Sequence, residues 1–173
     1  LEFVEKYPSG QPIEIMEEDW FVENVICHPA AAGAVRSFLG KDFALPNLMA
    51  NHRVECPQPA QEWHTDGGSK YGPEMNYLQV FYYPQDTPAE RGPTSVVRAS
   101  HPYNDRPEGD PRWDETKLVG DAGTVVLVHY DIWHRGTPNG TDDPRYMMTF
   151  LLSRMDEPTA ATWHASGGSS VDE

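Results

Sequence analysis

Short β-favouring runs, separated by Pro and Gly, dominate this chain after its first forty residues. In one of them Tyr77, Gln79, Phe81 and Tyr83 fall on one face of an extended segment, and Leu78, Val80 and Tyr82 on the other. Runs of this kind place strands at Met49–Glu55, Asn76–Tyr83, Thr94–Arg98, Thr124–His129 and Arg145–Ser153. A shorter one leads through Glu62 into His64. The best helical pattern is Pro29–Leu39 (PAAAGAVRSFL), Ala-rich, with Val35, Phe38 and Leu39 on one side and Gly40 as its stop. Many short strands, turn-rich joints and little helix predict a mainly β sandwich or jelly roll with a few flanking helices. From Asp156 onward Ala, Ser and Gly take over. Residues 1–155 are therefore expected to form a single domain and 156–173 a flexible tail. No internal repeat is visible.

Composition narrows the function classes. With 173 residues the chain is long enough for a core without disulfides. Its formal net charge of −14 opposes nucleic acid or anionic membrane as a partner, since both reward a basic face. The acidic groups gather in Glu14–Asp19, Glu108–Glu115 and Asp142-Asp143, which read as solvated loops. Cys27 and Cys56, with no C-x-x-C, indicate neither a disulfide scaffold nor a zinc ribbon. Leu1–Glu5 lacks the basic and apolar regions of a secretion signal, which predicts a cytoplasmic protein. Without that signal, Asn139-Gly140-Thr141 reads as a turn rather than a glycosylation site. No apolar run approaches membrane-spanning length; Val125–Val128 is strand-sized. Leu1 in place of an initiator Met suggests that the natural N-terminus lies upstream.

The candidate chemistry is concentrated in four residues. His64-Thr65-Asp66, followed at a distance by His134 and then Arg145, supplies two imidazoles, one carboxylate and a guanidinium. Two His and one carboxylate can occupy one face of an octahedral metal and leave the other open, the arrangement of non-haem Fe(II) sites that activate dioxygen. His64 and Asp66 are two apart, so on an extended segment both project from one face. Arg145 offers a planar fork suited to a carboxylate. A second H-x-D, His129-Tyr130-Asp131, has only His164 after it, in the Gly/Ser-rich tail, and reads as structural.

Further blocks carry a family resemblance. Phe38-Leu39-Gly40-Lys41-Asp42-Phe43 and Trp63-His64-Thr65-Asp66-Gly67 resemble the phytanoyl-CoA dioxygenase family. Arg91-Gly92-Pro93-Thr94-Ser95-Val96-Val97-Arg98-Ala99-Ser100-His101 is similar to that family's G-P-x-x-V-x-P-G-S-H stretch. Gly120-Asp121-Ala122-Gly123-Thr124, then Trp133-His134-Arg135-Gly136-Thr137-Pro138-Asn139 and Arg145, resemble its distal-His region. The resemblance covers roughly residues 25 to 155. It implies a double-stranded β-helix that binds Fe(II) and 2-oxoglutarate, uses O2, and hydroxylates a small organic molecule while 2-oxoglutarate is decarboxylated to succinate. His64, Asp66 and His134 would be the iron ligands, and Arg145 would hold the distal carboxylate of 2-oxoglutarate. Asp66 also favours hydroxylation, because halogenating relatives carry Ala or Gly there. Two departures stand out: Arg98-Ala99 replaces Pro-Gly before Ser100-His101, and the chain is short for the family.

Gln79, Thr94 and Thr137 are further candidates for contacts with the cosubstrate. His101 and His129 read as structural or outer-shell, and Trp63 and Trp133 as packing that orients the imidazoles. His52 and Arg53 are not assigned to the pocket. The loops Gln85–Arg91 and Pro102–Trp113 are expected to cover it. Alternatives are a cupin-like isomerase or lyase using zinc or manganese, against which Arg145 counts, and a non-catalytic binding jelly roll. The small-molecule substrate and the oligomeric state are not legible.

Overall fold

Extended runs become strands within a residue of the expected boundaries, and three very short strands join them. In chain order they are β1 (Phe43–Ala44), β2 (Met49–Val54), β3 (Tyr77–Tyr82), β4 (Thr94–Val97), β5 (Glu115–Lys117), β6 (Val125–His129), β7 (His134–Gly136) and β8 (Arg145–Arg154). The structure is a computed structural model that describes residues 1–44, 49–66, 71, 75–105 and 113–155. The expected tail 156–173, the Gly67-Gly68 opening, and residues 106–112 of the Pro102–Trp113 loop lie outside the described residues.

β8 organises the larger sheet. One of its edges pairs antiparallel with β2 (Val54 opposite Arg145, Met49 opposite Phe150) and, further along, with β1. Its other edge pairs with β3, which in turn pairs with β6. The smaller sheet runs β5–β4–β7. The chain before His64 extends this sheet. Gln58 and Asn139 exchange two backbone hydrogen bonds, Gln61 N–H donates to Gly136 O, and His64 and His134 exchange two more. The strand expected to lead into His64 is thus an irregular ladder alongside β7.

Alternation along β3 and β8 separates two environments. Leu78, Val80 and Tyr82 of β3 and Met148, Phe150 and Leu152 of β8 pack outward against Phe21, Val25, Ile26, Val35 and Leu39 from the N-terminal helical segments. Phe21 meets Tyr82 and Phe150 edge-on, with centroids 6.1 Å away in each case, a geometry that aromatic pairs favour. On the inner face Phe81, Tyr83 and Met147 join Val96 of the smaller sheet, so the two sheets face each other. This helix–sheet–sheet layering is the mainly β jelly-roll architecture expected from the sequence.

The helix Pro29–Leu39 forms as expected. Pro29 occupies its first turn, the His28 side chain accepts from Ala30 N–H at 3.3 Å, and Gly40 ends it at φ 94°. Ala32, Val35 and Leu39 are its buried stripe, whereas Phe38 falls at the margin and is 39% exposed. Glu14–Asp19, expected as a solvated loop, is instead largely a 3-10 turn (Ile13–Glu17) with Ile15 fully buried. Its outward acidic side chains mask that anchor in the sequence. Glu18 also accepts from Lys6 and Tyr7.

β2 holds the N-terminal segment. Buried Asn51 donates to the carbonyls of Val4, Tyr7 and Pro8, and Arg53 donates to Val4, Glu5 and Tyr7. Between them His52 points the other way, toward the space between the sheets. At Gly92 (φ 73°) the chain passes so close to the β7 exit that a Cβ would lie 2.7 Å from Thr137 O and 2.9 Å from Asn139 N. Gly92→Ala is expected to cost about 1–3 kcal/mol from positive-φ strain and backbone collision together. An unchanged urea midpoint would show that this close approach is not maintained.

Candidate active site

Reciprocal backbone bonds set His64 and His134 opposite each other (His64 N–H to His134 O, 3.0 Å; His134 N–H to His64 O, 2.8 Å). Their imidazole centroids lie 4.4 Å apart. Each ring is tied down by the same device. His64 Nδ1 lies 2.8 Å from Glu62 O and His134 Nδ1 3.0 Å from Ile132 O, so Nδ1–H donates and Nε2 is left with its lone pair free. Asp66, two residues past His64, brings Oδ1 to 3.7 Å from His134 Nε2. One ligand atom from each of the three residues lies within 4.8 Å of the others. Burial pushes the pKa of His134 down; the Ile132 carbonyl and Asp66 pull the other way, and His64 adds to the lowering. A neutral imidazole is the form that coordinates a metal.

These three residues line a cavity of about 340 Å³ between the sheets, within the size range of small-molecule sites. Arg145, the first residue of β8, lines it too and is only 5% exposed. Its Nη1 donates to Met147 Sδ at 3.5 Å, and its Nε has no hydrogen-bond partner. Burial lowers the Arg145 pKa, but a guanidinium stays charged in a protein. Neighbouring Tyr83 is pushed up to about 12, chiefly by burial, so it supplies no counter-charge. Among the described residues no carboxylate pairs with Arg145. A buried cation with only a sulfur acceptor is costly, and an anion entering the cavity would satisfy it.

The other expected residues divide. Gln79 lines the cavity, and its Oε1 is buried without a partner. Thr94 lines it with its hydroxyl 3.5 Å from Met147 Sδ. Thr137 lies elsewhere, donating its hydroxyl to Pro93 O at 2.7 Å. Gly136 takes the inward position on β7, and alternation turns Thr137 away. In the second H-x-D, Asp131 accepts from Tyr71 N–H at 2.9 Å and His129 stacks on His101 with centroids 4.4 Å apart. No third ligating side chain joins that pair among the described residues. Trp63 carries the Arg135 guanidinium 4.5 Å from its ring centroid, and Trp133 donates through Nε1 to Tyr103 O.

Several cavity residues were not picked out from the sequence. His52, Thr149, Gln61 and Tyr130 all line it. Gln61 also locks the ladder, its Oε1 accepting from Gly136 N–H at 2.8 Å. Ser100, inside a motif yet given no role, accepts from Trp133 N–H at 2.9 Å, one residue before His134. Only the inward phase of each segment could have flagged these residues, and that phase depends on pairing.

The family model for phytanoyl-CoA dioxygenase matches residues 10–147. The chain belongs to the phytanoyl-CoA dioxygenase family. Solved structures similar to this family member include a non-heme monooxygenase, the ThoJ–Ni complex (24% identity over 90% of this chain and 62% of that one, TM-score 0.69). The non-heme alpha ketoglutarate dependent epimerase SnoN from nogalamycin biosynthesis is also similar (19% identity, 91% and 66%, TM-score 0.66). HygX from Streptomyces hygroscopicus, with iron bound, aligns over 96% of this chain and 82% of its own at 15% identity and a TM-score of 0.67. The chain thus spans less than two thirds of the length of the ThoJ and SnoN chains. Where the family motif has Gly before Ser-His, this member has Ala99 at φ 57°, the left-handed conformation that Gly adopts more readily. Among the described residues no helix is long and apolar enough to cross a membrane.

Proposed function

We propose that this chain is an Fe(II)- and 2-oxoglutarate-dependent dioxygenase that hydroxylates a small organic molecule. The observation that carries this reading is the buried Arg145, with no carboxylate partner among the described residues, in the same cavity as the His64–Asp66–His134 triad. A metal jelly roll of another kind has no need for a desolvated guanidinium beside its metal ligands. When bound, Fe(II) and 2-oxoglutarate would supply the oxidising power from O2, one oxygen atom leaving in succinate beside CO2 and the other in the hydroxylated product.

The chain's own contribution is placement. His64, Asp66 and His134 would hold the metal, with Glu62 O and Ile132 O fixing the two imidazoles through Nδ1. Arg145 would grip a carboxylate with its fork, while Gln79 and Thr94 would hydrogen-bond to the cosubstrate from β3 and β4. Phe81 and Met147 form apolar wall and limit water. Hydroxylation rather than halogenation is favoured by Asp66, since the carboxylate occupies the space a halide would need. Epimerisation, as in SnoN, is the alternative outcome for the same ligand set.

Incubating the protein with Fe(II), ascorbate and 2-oxoglutarate, without any further substrate, should yield succinate above metal-free and 2-oxoglutarate-free controls. One Fe(II) bound per chain with no succinate at any 2-oxoglutarate concentration would instead favour a cupin-like isomerase or lyase.

A further inference from the structure

The cavity that holds Arg145 holds a second polar group, His52. His52 and Arg145 lie on paired strands: Val54 sits opposite Arg145 and His52 opposite Met147. His52 and Arg145 are therefore diagonal neighbours on one face, with backbones roughly 7–8 Å apart and long side chains within reach of a shared ligand. Both line the cavity. His52 Nε2 lies 3.2 Å from Thr149 Oγ1 on β8, while Nδ1 has no hydrogen-bond partner among the described residues.

We propose that His52 is a second anchor for the carboxylate held by Arg145, donating to it through Nδ1–H while Thr149 holds the ring. This rests on the 2-oxoglutarate reading above. The charge state fits the role. Burial lowers the His52 pKa first, the Arg145 charge lowers it further, and Asp66 opposes both, so the ring is neutral. A neutral imidazole carries one N–H. In the proposed arrangement the Thr149 hydroxyl donates to Nε2 and the N–H sits on Nδ1, the tautomer that can donate to an anion. Two donors from adjacent strands would then fix both the position and the rotation of one carboxylate, which Arg145 alone, tethered only by a thioether, does not guarantee.

The test is calorimetric titration of 2-oxoglutarate into the Fe(II)-loaded protein under anaerobic conditions, with thermal melts of each variant as a check on folding. His52→Ala should weaken 2-oxoglutarate binding about tenfold, the effect of one hydrogen bond to a charged group, and leave Fe(II) binding unchanged. His52→Asn keeps an N–H near the Nδ1 position and should recover most of the loss. His52→Gln keeps only the contact to Thr149 and should not. A purely structural role would make Asn and Gln equivalent, which would overturn the proposal. So would parent-like binding by His52→Ala while Arg145→Leu binds weakly, an outcome that leaves the proposed function intact. No 2-oxoglutarate binding by the Fe(II)-loaded parent would overturn both.

Discussion

Asp66→Ala is expected to weaken Fe(II) binding by more than about 100-fold and to abolish turnover, exceeding the 10–100-fold loss typical of an outer-shell partner. The three donors have unequal roles. In the proposed site His64 and His134 would contribute imidazole nitrogens, and the Asp66 carboxylate would be the one negative charge in the set. Its loss would leave two imidazoles facing a dication with no carboxylate charge in the set to offset it. Surface carboxylates do not rescue the site, because a chain of net charge −14 attracts cations without arranging them. The measurement is anaerobic titration against a chelator, read as affinity and stoichiometry. The parent should take up one Fe(II) and develop a weak visible band on adding 2-oxoglutarate. If His64→Ala and Asp66→Ala both bind iron like the parent, the metal site is elsewhere.

Arg145→Leu should leave iron binding nearly intact and raise the 2-oxoglutarate concentration needed for half-saturation by roughly 30-fold or more. Removing one partner of a buried, hydrogen-bonded charge pair costs about 2–5 kcal/mol, because the other charge stays desolvated. Leu matches the apolar surroundings of Met147 and Tyr83, so the folded state loses a buried cation and should not be destabilised. Thermal stability held constant beside a large loss of cosubstrate affinity is the signature to look for. Arg145→Lys should fall between, since an ammonium keeps the charge but not the planar fork. Parent-like affinity in Arg145→Leu would remove the main support for 2-oxoglutarate and favour a cupin-like enzyme.

The pairing of His64 with Asp66 was legible because its logic is local. An H-x-D on an extended segment projects both side chains from one face whatever the strand pairs with. Arg145 was legible for a similar reason, as the opening residue of a long alternating strand. His52 was not, because β2 (MANHRV) mixes polar and apolar residues on both faces. Only its register against β8 decides that His52 faces inward and Arg53 outward. The same uncertainty of phase misplaced Thr137, whose inward slot belongs to Gly136. β7 escaped notice because three residues cannot display an alternation. The N-terminal turns escaped because Ile15 and Phe21 are interrupted by exposed acids that conceal a helical stripe.

The rungs joining His64 to His134 make the spacing of the two imidazoles a property of a backbone ladder rather than of the long stretch of chain between them. The loops that join β3, β4, β5 and β6 between those rungs can therefore be lengthened, trimmed or exchanged while the two rings keep their separation, provided Asp66 and the paired strands stay in place. Substrate preference and metal geometry are then inherited through different parts of the polypeptide. A lineage, or a protein engineer, can rewrite the first by grafting loops while the second is copied unchanged in a few hydrogen-bonded residues.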